Sequence, residues 1–255
     1  MWPTSAKKNS EAYIEAHFRK QFRPAHLLNF HALWEMQFLD SHKVSFPESG
    51  HSLIDRFELP DGQGAFYLKR QLNRSIRTWR RPFGEPAFAQ ELRNIRLCEQ
   101  YHIPTLEPVY YAERQMTVGP AAILVVRALD GYQSLQDILT HWYGLERHMR
   151  ESILHTAGKA LGRLHAAGLG HSRLKADDII IDLTQIPQWR LASPQFITQV
   201  KGRDLLLDVQ SFLDSVAVVG DTELDFLLKA YVDISPQWPN LSALKQALYP
   251  SQQAS

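Results

Sequence analysis

The segment LHAAGLGHSRLKADDIIID, at 164–182, places several side chains capable of acid–base or metal chemistry close together. It runs from a helical pattern through Gly168 to an apolar run at 179–181, so its polar residues fall in a loop. Asp178 directly precedes the apolar run, and a carboxylate there can ligate a hard divalent cation. Arg173 lies in mid-loop, and its guanidinium cannot accept a proton. The loop therefore offers a candidate metal ligand, Asp178, and a cation, Arg173, that cannot act as a general base.

Two further charged residues that are candidates for a functional site, Lys69 and Glu91, lie in the first half of the chain. Lys69 belongs to a predicted return strand, 65–70, which follows the turn PDGQG at 60–64. Glu91 lies on the amphipathic pattern at 88–100, which predicts a helix. The pattern thus places a lysine on a strand and a carboxylate on the helix that follows.

The elements that position these residues indicate an α+β protein with two lobes. A β-rich region comes first and a mostly helical region second. The predicted strands span 53–59, 65–70, 108–112, 121–129 and 179–182, and the predicted helices span 88–100, 134–140, 146–167, 203–215, 222–232 and 241–249. We divide the chain into an N-terminal helical extension at 1–43, an N-lobe at 44–130 and a C-lobe at 131–255.

Composition excludes several classes of protein. The net charge of +1 argues against general nucleic-acid binding, and the single cysteine, Cys98, rules out an internal disulfide. The first residues contain no apolar signal segment, and the longest apolar run, 121–126, is too short to cross a bilayer. We expect a cytoplasmic protein.

Four stretches of sequence carry a resemblance to a known family. The loop resembles a kinase catalytic loop, in which Leu-His ends a helix and His-Arg-Asp-Leu, four residues, Asn and an apolar strand follow. The chain, from about Val44 to Tyr231, resembles the protein-kinase-like fold and, within it, the bacterial lipopolysaccharide core kinases that phosphorylate Kdo or heptose. The matching segments are FYLKRQ at 66–71, ELRNIRLCEQYHIPTLEPVYYAER at 91–114, the loop at 164–181, and RDLLLDVQSFL with FLLKAY at 203–213 and 226–231.

The resemblance implies nucleotide-binding roles for three residues. Lys69 takes the position of the strand lysine that holds the α and β phosphates of ATP, and Glu91 that of its acidic partner. Gly50 is the glycine that remains of a phosphate-binding loop, which usually carries several. Without the resemblance, the three would be an edge-strand lysine, a surface helix charge and a turn glycine.

The resemblance also implies that catalytic groups have been replaced. Arg173 stands where the family pattern has the Asp that accepts the substrate hydroxyl proton. Asp178 takes the position of the metal-binding Asn, and Ser193 that of the second metal-binding Asp. A strand at 205–209 would make Asp208 a substitute metal ligand, but the spacing favours a helix there. These replacements imply a degenerate, pseudokinase-like member.

A basic segment precedes and enters the helix at 88–100. Residues 69–96 hold eight Lys and Arg, of which we single out Arg74, Arg77, Arg80 and Arg81 as a patch for an anionic ligand or a membrane surface. The simpler interpretation is a solvated loop. Peripheral contact with the inner membrane is compatible with either.

Three functions follow from the resemblance. The first is a pseudokinase that supports lipopolysaccharide core, cell-envelope and toluene-tolerance functions by binding a core glycolipid or a core-assembly enzyme. The second is an active sugar kinase that uses ATP and Mg²⁺, with Asp178 and a further carboxylate such as Asp182 or Asp208. The third, which the segment at 91–114 does not favour, is an aminoglycoside-type phosphotransferase.

Overall fold

The structure is a computed structural model that describes residues 12–38, 42–46, 50–78, 81–172, 174–183, 187–200 and 202–249, with positions 42–46, 61, 78, 81 and 83 described by backbone alone. Among the predicted site residues, Arg173 and Arg80 lie outside this part of the chain, as does the side chain of Arg81. The chain divides into two compact units: Met1–Arg96 with Leu106–Asp130, and Leu97–Thr105 with Gly131–Ser255.

The first unit contains eight of the described strands. They are β1 (Tyr13–Ile14), β2 (His42–Phe46), β3 (Gly50–Glu58), β4 (Ala65–Leu72), β5 (Ser75–Thr78), β6 (Arg81–Pro86), β7 (Pro108–Met116) and β8 (Gly119–Arg127). Six form an antiparallel sheet in the order β1-β7-β8-β4-β3-β2. The other two, β5 and β6, pair as a hairpin, so a predicted solvated loop is in fact a strand pair that leads into the next helix.

Helices cover both faces of this sheet. The helices are α1 (Ala16–Phe22), α2 (Phe30–Trp34) and α3 (Ala87–Gln100). Side chains alternate along β4 as a pleated strand requires: Phe66 and Leu68 join the core with α1 and α2, whereas Lys69 and Gln71 bond to α3. One strand thus carries core residues on one face and polar residues on the other.

The second unit is mainly helical and has its own core. Its helices are α4 (Leu135–Thr140), α5 (Arg147–Ala166), α6 (Arg203–Ser215), α7 (Asp221–Val232) and α8 (Leu241–Leu248). Its strands are β9 (Tyr132–Ser134), β10 (Leu169–His171), β11 (Ile179–Asp182), β12 (Gln188–Leu191) and β13 (Ile197–Gln199). The strands pair in the order β12-β11-β9 and as β10-β13. Because β10 lies between α5 and β11, its pairing with β13 places the segment after α5 beside residues 197–199.

The predicted helices and longer strands are confirmed within a few residues. Ser134 caps α4, because its side chain accepts a hydrogen bond from the Asp137 N–H. Residues 205–209 lie inside α6 and not in a strand. Among the described residues, no helix has both the length and the apolar character to cross a membrane.

Candidate functional site

An ion pair joins Lys69 on β4 to Glu91 on α3. The Lys69 Nζ lies 2.6 Å from Glu91 Oε1, and the two side chains are 14% and 5% exposed. The pair forms because Lys69 points from the sheet toward α3, while Glu91 lies in the first turns of that helix. Such a pair holds an ammonium group where it can contact phosphate oxygens. The structure brings together the two residues that the resemblance assigned to nucleotide binding.

Gly50 has a local structural reason to be glycine. A Cβ atom at this position would lie 2.7 Å from the Asn73 carbonyl oxygen and 2.8 Å from that of Leu72. Backbone atoms cannot yield as a flexible side chain would, so a larger residue would push β3 away from the end of β4. A phosphate-binding role for Gly50 stays a prediction.

His171 organises the loop that follows α5. Its Nε2 lies 3.0 Å from the Ser193 carbonyl oxygen, and because a carbonyl only accepts, Nε2 carries the proton. Its Nδ1 lies 3.9 Å from Asp178 Oδ2, and its backbone N–H donates to Asp208 Oδ2. The buried imidazole therefore connects the start of the loop with the residues after β12.

Asp208 anchors this loop from α6. It is 5% exposed, and besides accepting the His171 N–H its Oδ2 lies 3.6 Å from His165 Nε2. His165 Nδ1 in turn lies 2.9 Å from the Tyr231 hydroxyl. Asp208 lies on a helix, so the interpretation of residues 205–209 as a strand is wrong, whereas the role of Asp208 as a metal ligand stays a prediction.

Asp178 and Ser193 are neighbours through their backbones. The Ala192 N–H donates to the Asp178 carbonyl at 2.8 Å, and the antiparallel pairing of β11 with β12 produces this contact. Asp178 Oδ2 accepts the Lys175 N–H at 2.9 Å, which leaves the second carboxylate oxygen for another ligand. The residue after Ala192 is Ser193, to which the resemblance assigned the position of the second metal-binding Asp, and that assignment stays a prediction.

The two units offer different ligand groups, and each set is compared with phosphate and with magnesium by itself. Lys69 offers a buried, oriented ammonium group. Asp178 and Ser193 together offer one carboxylate and one hydroxyl, whereas divalent ions at phosphate sites are usually held by carboxylates. Within the described ranges, no three His, Cys, Asp or Glu side chains converge as a metal-binding group. The residues do not fit a two-ion site.

More of the cations in the basic segment at 69–96 are paired with carboxylates than its sequence indicates. Four of its cations form ion pairs: Lys69 with Glu91, Arg70 with Asp55, Arg93 with Glu85, and Arg96 with Glu15. Burial lowers the pKa of Arg74, and the nearby Glu91 carboxylate opposes that shift. The side chain of Arg77 is exposed.

The sequence did not single out Gln71 or the anchoring role of Asp208. Gln71 is 2% exposed and bonds to the backbone of Arg74 and of Phe88. A signal for Gln71 was available, since a residue two positions after Lys69 must share its face of the strand. No comparable signal existed for Asp208, because its partners come from distant parts of the chain.

Comparisons with known proteins support the resemblance. Residues 53–192, more than half of the chain, match the model described as the lipopolysaccharide kinase (Kdo/WaaP) family. The chain is similar to a solved structure described as WaaP in complex with acyl carrier protein, with a TM-score of 0.63 and 16% identity over 87% of this chain and 88% of that chain. At this identity the likeness shows the fold alone, which is protein-kinase-like. No curated protein matches the chain. Because the family model spans both the Lys69–Glu91 pair and the loop through β12, the chain belongs to the lipopolysaccharide kinase (Kdo/WaaP) family.

Proposed function

We propose that this protein is a catalytically impaired member of its family that binds nucleotide and supports lipopolysaccharide core assembly through partner or glycolipid binding. The observation that carries the proposal is Ser193, whose carbonyl is held by His171 and whose neighbour Ala192 bonds to Asp178. Its position agrees with that of the second metal ligand in the family pattern. A serine hydroxyl there does not replace a carboxylate.

The chemical consequence is large. In phosphoryl transfer, metal ions neutralise most of the charge that develops on the transferred group, and a general base takes the hydroxyl proton. Arg173 and Ser193 replace the two carboxylates that the family pattern uses for these tasks. We therefore expect transfer to be slower by several orders of magnitude, while the Lys69–Glu91 pair still recognises phosphate.

One observation favours an active kinase as the second candidate. The Lys69–Glu91 pair is formed, which meets one requirement of an active kinase. Activity would require a carboxylate beside Asp178. Asp208 is a poor choice because it accepts the His171 N–H, and Asp182, at the far end of β11, lies about 13 Å along the strand from Asp178.

A thermal-shift titration with ATP, with and without Mg²⁺, tests the proposal. Ligand that binds the folded state raises the melting temperature, and a concentration of about 100 Kd adds about 2.7 kcal/mol. We expect a shift that depends little on Mg²⁺ and disappears in Lys69→Ala. Lys229→Ala, which removes an exposed lysine on α7, is the matched control and should keep the shift.

The outcomes separate the two candidates. A shift that requires Mg²⁺, together with transfer of labelled phosphate to Kdo- or heptose-containing core oligosaccharide, would establish the active kinase. Absence of any shift at millimolar ATP would remove nucleotide from the proposal. A shift without measurable transfer supports the impaired protein.

The proposed partners can be tested directly. The similar solved structure contains acyl carrier protein, so purified acyl carrier protein is the first protein partner to titrate by calorimetry. For a glycolipid or membrane partner, sedimentation with anionic and with neutral vesicles should differ, because cations near a surface attract anionic headgroups. Arg77→Glu should reduce the anionic binding and Lys245→Glu should not. Equal binding to both vesicle types would contradict the membrane part of the proposal.

A further inference from the structure

The side-chain amide of Gln71 connects two backbone segments that flank the Lys69–Glu91 pair. Its Nε2 donates to the Arg74 carbonyl at 2.6 Å, and its Oε1 accepts the Phe88 N–H at 2.9 Å. The side chain is buried, at 2% exposure. Because one partner is an acceptor and the other a donor, only one orientation of the amide satisfies both.

Gln71 caps α3 from another element. The first N–H groups of a helix have no partner within it, and a side chain just before the helix usually supplies an acceptor. Here the residue before α3 is Pro86, whose side chain has no acceptor. Gln71 provides one for Phe88, the second residue of the helix, and so attaches the start of α3 to β4.

This bond and the ion pair form two successive connections between the same elements. Lys69 and Gln71 are two residues apart on one face of β4, while Glu91 and Phe88 are three apart on α3. Both spacings correspond to neighbouring positions on one face. Fixing Phe88 therefore fixes the height and rotation of the turn that carries Glu91.

We propose that Gln71 is a positioning residue that sets the Lys69–Glu91 pair by holding the first turn of α3 against β4. The bond to the Arg74 carbonyl extends the effect, since Arg74 begins the connection to the β5–β6 hairpin that leads into α3. The contacts of Gln71 are independent of the proposed function. Only the role of the positioned lysine in binding nucleotide rests on that proposal.

The test measures the reactivity of Lys69 without nucleotide and, separately, the affinity of the protein for ATP. Lys69 should react slowly with an amine-directed reagent in the wild type, since its nitrogen is buried against Glu91. Gln71→Leu, which keeps the shape and removes both bonds, should speed Lys69 labelling by about tenfold, as site-resolved mass spectrometry would show. The exposed Lys229 is the internal standard.

Two controls distinguish positioning from general destabilisation. Val125→Ala removes packing from the opposite face of the sheet and should lower the melting temperature while leaving Lys69 labelling within about twofold of wild type. Gln71→Glu keeps an acceptor for Phe88 and should protect Lys69 better than Gln71→Leu does. If the leucine variant folds poorly, the labelling of Lys69 in Gln71→Glu is compared with that in the wild type and in Val125→Ala instead.

Nucleotide affinity supplies the second readout. Gln71→Leu should weaken ATP binding by about tenfold in the wild type, and by less than about twofold in Lys69→Ala, because positioning matters only when the lysine is present. Unchanged Lys69 labelling in folded Gln71→Leu would overturn the inference. If the wild type binds no ATP, the proposed function fails but the labelling result still decides the role of Gln71.

Discussion

At the scale of single residues, the positions expected to bind phosphate keep the residue types of the family pattern, and the positions expected to transfer it do not. The lysine expected to bind phosphate and the glutamate expected to pair with it are present, and their side chains lie 2.6 Å apart. The positions expected to supply a general base and a second metal ligand hold Arg173 and Ser193. Binding of phosphate and transfer of phosphate place different demands on the chain, since transfer needs the additional carboxylates.

Restoring the two carboxylates should therefore restore turnover. The double variant Arg173→Asp/Ser193→Asp should gain Mg²⁺-dependent ATP turnover of at least about tenfold over the wild type, because it supplies a proton acceptor and a second metal ligand. Steady-state release of ADP measures it. Ser172→Asp/Ser193→Asp is the matched control and should gain less. If both variants bind ATP and neither turns it over, impairment at these two positions is not the explanation.

The only cysteine should be inert in the folded protein. Cys98 is fully buried, and burial raises the pKa of its thiol to about 12. Since the thiolate is the reactive form, a thiol reagent at pH 8–9 should label it only when the protein opens. Rapid native labelling would contradict its placement in the core.

The same burial predicts a pH dependence of stability. The unfolded thiol ionises near its ordinary value of 9.0, whereas the folded thiol stays protonated until about pH 12. A raised folded pKa gives stability that is complete below the unfolded value and declines as pH rises between the two. Cys98→Ala should show a shallower decline over that window in denaturant titrations.

At the scale of elements, the close approach of α5 and α7 depends on glycine. A Cβ at Gly158 would lie 2.2 Å from the Leu227 carbonyl oxygen, and one at Gly162 would lie 3.0 Å from that of Tyr231. His165 near the end of α5 and Tyr231 on α7 are hydrogen-bonded to each other. The separation of the two helices therefore determines where the loop after α5 begins.

Gly158→Ala should therefore destabilise the protein despite alanine's better helix propensity. The added methyl group must displace the α7 backbone, and overpacking of this kind costs about 1–3 kcal/mol. Chemical denaturation would measure the loss. Gly144→Ala has no atom within 4 Å of the new Cβ and should stay within about 0.5 kcal/mol of wild type. Equal stability of the two variants would contradict the close packing.

At the scale of the whole molecule, each unit has its own hydrophobic core. In the first unit the segment that contains α1 and α2 is an integral layer, because Phe18, Phe22, Phe30 and Leu33 are buried against the sheet. The Phe22 ring contacts the rings of Phe57 and Phe66 edge-on. What the sequence presented as an N-terminal extension contributes directly to the core of the unit that holds Lys69.

Phe22→Ala should accordingly unfold or strongly loosen the first unit. Removing a fully buried phenylalanine costs about 3–5 kcal/mol. Hydrogen exchange of amides in β4 and β8 should accelerate in this variant. Phe226→Ala, on a residue of α7 that is 37% exposed, is the control and should change exchange in these strands little. Unchanged protection in Phe22→Ala would show that α1 is not part of that core.

Much of the fold was predictable because it depends on local pattern. The long helices, such as α3 and α5, show apolar spacing of three and four residues, and the β3–β4 hairpin has a turn rich in glycine. The short strands β10 and β13 were not predicted, since three residues carry too little periodicity. The β5–β6 hairpin was missed because its arginines resemble a solvated loop.

The sequence by itself determined the family, the α+β class and the positions of Lys69, Glu91, Asp178 and Ser193, because residue type and spacing along one chain are sufficient for those conclusions. Only the tertiary structure decided which side chains meet: that Glu91 pairs with Lys69, that Asp208 holds the loop from α6, and that Gln71 caps α3. The physical reason is that a buried polar group needs a partner, and in each of these contacts the partner comes from a separate element of the chain.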